Sequence, residues 1–156
     1  MAFVTNLWFD TQAEQAAQFY ISVFPNSSID DVMYYGPENP AREGTVLLVS
    51  FTLDGQKFAA LNGGPEFTFD EAVSFEIRCA DQAEVDHWWT TLTADGGQES
   101  RCGWLKDKFG LSWQVVPSRL LELFADPNRA RAQRAMEAML RMGKIDIATV
   151  ESAADS

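Results

Sequence analysis

The sequence is poor in basic residues and contains a single histidine. Twelve Lys and Arg stand against 23 Asp and Glu, which gives a formal net charge of −11 at pH 7. A nucleic-acid-binding protein needs a basic stripe to neutralise phosphates, and none is visible here. An anionic membrane surface would repel this chain as well. The composition therefore excludes nucleic acid and membrane from the expected partners.

Cysteine and long apolar runs are also scarce. The two cysteines, Cys79 and Cys102, do not form a disulfide framework, so we expect free thiols in a reducing compartment. No apolar stretch approaches the roughly 20 residues of a transmembrane helix. The first residues, MAFVTNLWFD, lack the basic start of a signal peptide. We therefore expect a cytoplasmic protein.

Aromatic side chains, in contrast, are plentiful. The 156 residues include 11 Phe and five Trp, and the fractions of 46% hydrophobic and 22% charged residues are those of an ordinary globule. A chain of this length buries roughly 70% of its unfolded surface, so its fold does not need disulfides or a structural metal for stability. The length favours one domain, and the aromatic content predicts a well-filled interior, a flat aromatic pocket, or both.

The order of predicted elements repeats once along the chain. Each half reads as a strand, an amphipathic helix and three strands, and the same triplet occurs in both helices, at Gln12-Ala13-Glu14 and Gln82-Ala83-Glu84. Asp10 or Thr11 can cap the first helix, with Glu14 placed for a capping box. From Ser118 onward the chain is predicted to be helical. The predicted strands are Phe3–Phe9, Ile29–Tyr35, Thr45–Leu53, Gln56–Leu61, Ala72–Cys79, Gln98–Cys102, Cys102–Lys106 and Leu111–Val116, and the C-terminal helices include Arg129–Met142 and Asp146–Ala154.

The stretch CGWLKDKFGLSWQVVP, residues 102–117, predicts a β-hairpin. Gly110 closes the turn, because glycine takes a positive φ without strain. Alternation along the second strand places Trp113 and Val115 on one face and Gln114 on the other. We expect Trp104 and Trp113 to pack in the core or against a helix.

The duplicated βαβββ order resembles the vicinal oxygen chelate superfamily, which includes glyoxalases, fosfomycin-resistance proteins and dioxygenases. Within it, LNGGP, CGWLKDKFGLSWQVVP and AMEAMLRMGKIDIATVESA are similar to the PhnB-like branch, often labelled 3-demethylubiquinone 3-methyltransferase-like. The resemblance implies an α+β fold of two paired βαβββ modules around a cavity, followed by a helical C-terminal extension. Module one covers about residues 1–65, module two about 70–117 and the C-terminal helices 118–154, within a single glyoxalase-like domain over residues 1–156.

Metal-dependent members of this superfamily hold a divalent ion through His and Glu side chains at the inner ends of strands. The corresponding positions fall at Asn6, Ser74 and Gln114, which are all neutral. A neutral amide is a poor substitute for an anionic ligand. The only histidine, His87, falls on the second predicted helix, away from its buried stripe. We therefore expect no metal.

The methyltransferase label predicts a glycine-rich turn between a strand and a helix, where S-adenosylmethionine would bind. The close glycine pairs are Gly63-Gly64 and Gly96-Gly97, and the first is followed by Pro65 and a strand-like run. This pattern does not fit the cofactor. We expect no S-adenosylmethionine and no other cofactor.

Alternation in the strand AVSFEIRC places Ser74, Glu76 and Arg78 on one face. Two interpretations stay open: this face lines the cavity and orients a polar ligand, or it faces water as in an ordinary antiparallel sheet. Cys102 is either a reactive thiol near the pocket or an inert buried one. The candidate ligand-binding residues are Asn6, Trp8, Asn62, Ser74, Arg78, Cys102 and Gln114, and the candidate catalytic residue is Glu76.

Three functional hypotheses follow from these residues and the resemblance. The first is a small-molecule-binding protein with an aromatic-lined cavity and no catalytic metal. The second is a metal-independent isomerase or lyase that uses Glu76 as a general base. The third is an interaction module whose cavity is filled by side chains. We also expect a homodimer, from family habit and from a Met-rich C-terminal surface that includes Met136, Met139, Leu140 and Met142.

Overall fold

The computed structural model describes residues 3–156, which form two compact units that meet in sequence between Phe69 and Asp70. Each unit contains one four-stranded sheet in the same topology, with its first strand parallel to its fourth. The predicted α+β fold of two βαβββ modules is therefore confirmed. The first unit contains β1 (Thr5–Phe9), α1 (Ala13–Val23), β2 (Ser28–Tyr34), β3 (Val46–Leu53) and β4 (Gln56–Asn62) in the sheet order β1-β4-β3-β2.

The second unit repeats this order. Its sheet order is β5-β8-β7-β6, in which β8 pairs in parallel with β5 and in antiparallel with β7. In each module the first strand and the last strand are therefore neighbours in the same sheet. The elements are β5 (Phe75–Cys79), α2 (Gln82–Thr93), β6 (Gln98–Glu99), β7 (Trp104–Lys106) and β8 (Ser112–Pro117).

The core of the first unit forms where α1 packs on the sheet. Small residues of α1 are fully buried and allow a close approach, and Tyr20 stacks on Phe51 with ring centroids 6.3 Å apart. Phe51 in turn stacks on Phe58 at 5.4 Å. Burying one such aromatic side chain contributes about 1.5–3 kcal/mol. The aromatic residues of this unit thus fill its interior.

The start of α1 differs from the prediction. Neither Asp10 nor Thr11 caps the helix; its N-cap is Gln12, whose side chain makes no capping hydrogen bond. Instead the backbone N–H of Ala13 donates to Asn62 Oδ1 at 2.8 Å. The acceptor comes from the end of β4, so a local capping motif could not reveal it.

Several predicted strands are shorter than the sequence pattern indicated: β1 begins at Thr5 rather than Phe3, and β5 begins at Phe75 rather than Ala72. The largest differences are in the second sheet. β6 has only two residues, and β7 begins at Trp104 rather than at Cys102. The reason is that Cys102 and Gly103 take φ angles of 59° and 83°. Left-handed backbone cannot continue a β-strand, so the chain turns between β6 and β7.

The predicted C-terminal helices are present and pack on one another. Arg131 joins α4 to α5 by pairing with Asp155, and it also pairs with Asp126 in the segment between α3 and α4. No helix within residues 3–156 is long and apolar enough to cross a membrane. The helices are α3 (Ser118–Phe124), α4 (Arg129–Met139) and α5 (Ile147–Asp155), and their buried cluster consists of Val116, Leu120, Leu123, Ala135, Ile145, Val150 and Ala154.

Candidate functional site

One face of the second sheet brings several predicted site residues together. Strand register places Glu76 of β5 beside Gln114 of β8, and Gln114 beside Trp104 of β7. The three residues therefore form a row across three strands. Alternation places Arg78 on the same face, while Phe75 and its neighbours in the next register position face the opposite way.

Within this row, Gln114 and Ser74 bind each other. Gln114 Nε2 donates to Ser74 Oγ at 2.8 Å, and both side chains are half-buried. An amide N–H donor cannot coordinate a cation, and the hydroxyl is a weak neutral ligand. The side chains at these two positions, where the resemblance implies metal ligands in other superfamily members, are thus hydrogen-bonded to each other.

Glu76 and Arg78 form an ion pair beside Gln114. Arg78 Nε donates to Glu76 Oε1 at 2.8 Å, and the two side chains are 69% (Arg78) and 37% (Glu76) exposed. Pairs this open to solvent stabilise a fold by only about 0.2–1 kcal/mol. Their contribution is therefore geometric, because they place a carboxylate and a guanidinium side by side at the edge of the row.

A cavity of about 410 Å³ opens on this face, next to the row. Trp104, Lys106 and Ser112 supply its sheet side, since they share the face of Gln114. Lys106 Nζ pairs with Glu71 Oε1 at 2.7 Å. This volume lies within the range of about 300–1,000 Å³ typical of small-molecule sites.

Most residues that line this cavity are not predicted as site residues from the sequence; Cys102 is the exception. Trp104 was expected in the core or against a helix, but it is half-buried and lines the cavity. Trp113, with the same expectation, is buried in the core. The available signal was alternation, because Trp104 and Lys106 lie two residues apart and both pair with residues on the face of Gln114.

The two cysteines have different surroundings. Cys102 is half-buried and lines the cavity, and its backbone N–H donates to the Met142 carbonyl oxygen at 2.8 Å. Cys79 is fully buried. Burial, reinforced by the negative charges of Glu84 and Asp81, raises the pKa of the Cys79 thiol to about 11. Both thiols are free, and only Cys102 is near the candidate site.

In the first unit, the LNGGP motif fixes Trp8. The indole Nε1 donates to the Gly64 carbonyl oxygen at 2.8 Å, and its ring packs edge-on against Phe67 at 5.0 Å. A Cβ on Gly63 would collide with the Trp8 ring, so only glycine fits there. Asn6 is exposed and donates to the Val4 carbonyl oxygen at 3.2 Å.

Asn62 is buried and hydrogen-bonded through both its side chain and its backbone. It is 7% exposed, accepts from the Ala13 N–H at 2.8 Å and donates to the Val46 carbonyl oxygen at 3.0 Å. The backbone carbonyl oxygen of Asn62 accepts a hydrogen bond from Tyr35 Oη at 2.6 Å. These bonds join α1, β3 and the loop that follows β2 to the end of β4. The polar groups of this candidate ligand residue are engaged in the structure.

Asp107 organises the hairpin turn between β7 and β8. The buried carboxylate accepts from the N–H groups of Phe109 and Leu111 at 2.9 and 3.1 Å, and from Trp113 Nε1 at 2.8 Å. Gly110 has a φ of 87°, as predicted for the turn. Aspartate that accepts from backbone N–H groups a few residues ahead is a common turn device.

A divalent metal finds no suitable set of donors at these positions. Within residues 3–156, no three His, Cys, Asp or Glu side chains come together in a way that could hold a metal ion. His87 is exposed on α2, with its ring edge-on to Trp88 at 5.0 Å. The neutral Ser74–Gln114 pair does not fit a hard or borderline cation.

Solved structures show the class of fold that these units define. A PhnB protein from Bacillus cereus is 34% identical, with 76% of this chain and 100% of that chain covered and a TM-score of 0.67. A Pseudomonas aeruginosa protein is 17% identical, with 75% and 97% covered and a TM-score of 0.62. The fosfomycin resistance protein FosX from Listeria monocytogenes, complexed with Mn(II) and sulfate, is 13% identical, with 74% and 88% covered and a TM-score of 0.50. The fold is that of the vicinal oxygen chelate superfamily.

The particular family follows from the sequence. Residues 1–116 match the 3-demethylubiquinone-9 3-methyltransferase family, and the chain belongs to it. The resemblance to the PhnB-like branch is thereby confirmed. No curated protein sequence matches the chain.

Proposed function

We propose that the protein binds a small, flat organic molecule in the cavity of the second sheet and uses no catalytic metal. The observation that carries this proposal is the cavity of about 410 Å³ beside the Glu76–Gln114–Trp104 row. Trp104 offers an indole on which a planar ligand can stack. Lys106 supplies a polar group that fixes its orientation.

The charges around the cavity favour a neutral ligand. Lys106 is paired with Glu71 at 2.7 Å, and the Glu99 carboxylate accepts from Trp89 Nε1 at 2.8 Å. An anionic ligand would lie beside Glu71 and Glu99, and pairing with Arg101, an exposed residue that also lines the cavity, would contribute only about 0.2–1 kcal/mol. A cationic ligand would lie beside Lys106 and Arg101. Both carry a desolvation cost, so a neutral planar molecule with one or two hydrogen-bonding groups fits best.

The absence of a metal from this proposal rests on donor chemistry. The FosX structure contains Mn(II), whereas the positions that match superfamily metal ligands are here Asn6, Ser74 and Gln114. Gln114 commits its N–H to Ser74. Manganese and zinc prefer carboxylate or imidazole ligands, and these neutral side chains supply neither.

Methyl transfer, which the family name denotes, draws no support from the glycine pair of the LNGGP motif. The N–H groups of Gly63 and Gly64 donate to the Phe9 carbonyl oxygen at 2.9 and 3.3 Å, and the next element in the chain is the strand β5. A nucleotide-type cofactor would need such N–H groups at the start of a helix.

The enzyme alternative, an isomerase or lyase with Glu76 as general base, draws less support than binding. Catalytic carboxylates that work near neutral pH lie in apolar, water-poor surroundings. Glu76 is partly exposed and bonded to Arg78. We also propose that the protein acts in the cytoplasm, where its two free thiols stay reduced.

Calorimetric titration with coumarin, a neutral planar bicycle, tests the proposal. Coumarin should bind, coumarin carboxylate should bind roughly ten-fold more weakly, a difference of about 1.4 kcal/mol, and chelator should change neither. Trp104→Ala should abolish binding, whereas Trp88→Ala, on α2, should leave it intact. Equal binding by wild type and Trp104→Ala would contradict a site at this cavity.

A further inference from the structure

We infer that the C-terminal helices position one wall of the cavity and so help to select its ligand. The backbone N–H groups of Cys102 and Gly103 donate to the carbonyl oxygens of Met142 and Gly143, each at 2.8 Å. Cys102 lines the cavity and Gly103 follows it, and this turn is called the wall below. Its two consecutive amides thus bind two consecutive carbonyls of the tail loop, which joins α4 to α5. The ligand-selection part of this inference rests on the proposed function.

The wall needs such support because its backbone is left-handed. Cys102 and Gly103 have φ angles of 59° and 83°, and a non-glycine residue keeps this conformation only where its surroundings hold it. Gly103 is also enclosed, since a Cβ there would lie 2.8 Å from the Val115 carbonyl oxygen and 3.3 Å from Ile145 Cγ1. Ile145, which belongs to the loop between α4 and α5, therefore forms one side of the space around Gly103.

The tail loop is itself fastened to α2. Gln82 Nε2 donates to the Ile145 carbonyl oxygen at 3.1 Å, and Gln82 Oε1 accepts from the Ile147 N–H at 2.9 Å. Lys144 forms an ion pair with Asp86, one turn further along α2. The Ile145 side chain is buried in the tail cluster. A continuous set of contacts therefore runs from α2 through the tail loop to the cavity wall.

The tail, residues 118–156, follows the part of the chain that the family model covers. The family match ends at residue 116, and the Bacillus cereus structure is covered completely while it covers 76% of this chain. The wall at Cys102 and Gly103 lies inside the family region, but the carbonyl groups that hold it do not.

Substitution of Gln82 in the full chain tests this role. Gln82→Ala removes both hydrogen bonds to the tail loop and leaves the cap of α2, Asp81, in place. We expect the rate at which iodoacetamide labels Cys102 to rise roughly ten-fold, because the wall opens locally more often, and coumarin affinity to fall. Gly143→Ala, whose Cβ would lie 3.2 Å from the Ser100 carbonyl oxygen, should act in the same direction.

Two controls separate positioning from loss of stability. Gln133→Ala breaks a bond to Glu137 on the outer face of α4 and should leave labelling unchanged. Phe51→Leu lowers stability in the first unit without touching the tail. Unchanged labelling in Gln82→Ala, or an equal rise in Phe51→Leu, would overturn the inference. Labelling needs no ligand, so failure of wild type to bind coumarin would count against the proposed function alone.

Discussion

Gln114 donates its side-chain amide to the hydroxyl of Ser74 at 2.8 Å, which joins the last strand of the second sheet to the residue before its first. A carboxylate in place of Gln114 and an imidazole in place of Ser74 would lie within reach of one ion. In this protein the two neutral side chains are instead hydrogen-bonded to each other. The consequence for metal binding can be measured directly.

Protein purified without a His-tag should contain no stoichiometric zinc, nickel, iron or manganese. The double variant Ser74→His/Gln114→Glu should gain measurable affinity for Zn²⁺, because it introduces an imidazole and a carboxylate as neighbours. Elemental analysis before and after dialysis against chelator, with zinc titration of both proteins, provides the test. One equivalent of tightly held metal in the wild type would refute the prediction.

Cys79 should make stability depend on pH above about pH 9. Burial raises the pKa of its thiol to about 11 from an ordinary value near 9, so the unfolded chain releases this proton at a lower pH than the folded protein. Stability is therefore full below pH 9 and is lost as pH rises towards 11, by about 2–3 kcal/mol. Urea unfolding of wild type and Cys79→Val should show this loss in the wild type only. Equal losses would mean that other groups are responsible.

Asn62 and Asn6 should respond very differently to alanine. Asn62→Ala leaves the Ala13 N–H and the Val46 carbonyl oxygen without their partner, and each unsatisfied buried group costs about 1–3 kcal/mol. Asn6 is exposed, and Asn6→Ala should change the free energy of unfolding by less than about 0.5 kcal/mol. Chemical denaturation of both variants measures the contrast, and similar losses of stability would be inconsistent with it.

Homodimerisation of the protein stays a prediction. The structure shows which residues of the Met-rich surface are exposed and could contact a second copy. Met136 and Leu140 are 37% and 57% exposed on α4 and beyond its end, whereas Met139 and Met142 pack on the tail cluster. If the Met-rich surface forms the homodimer, Leu140→Glu should weaken it, while Gln133→Glu, also exposed on α4, should not. Sedimentation at micromolar concentration decides the matter, and a 17.4 kDa monomer for the wild type would end the hypothesis.

The fold could be predicted because its signals are local. Period-two alternation places Glu76 and Arg78 on one strand face and Gln114 on the face opposite Trp113, and the same order of elements recurs in both halves. Gly110 marked its turn, since glycine meets the demand for a positive φ without strain. Each of these features depends on residues close in sequence, which is why a single chain reveals them.

The site was predicted only in part because its contacts are distant in sequence. The acceptor that begins α1 is Asn62, and the groups that hold Cys102 belong to the tail loop. No local pattern reports such partners. Large aromatic residues are usually buried, so the sequence favours a core or helix-packing position for Trp104. Only its cross-strand neighbours place it at the cavity.

The network around Asp107 has a consequence for the order of folding. Its three donors, Phe109, Leu111 and Trp113, all lie within the next few residues. This hairpin therefore assembles with little loop-closure entropy, whereas the parallel pairing of β5 with β8 joins distant parts of the chain. We expect the hairpin to form early and to present the edge of β8 as the template on which β5 later aligns.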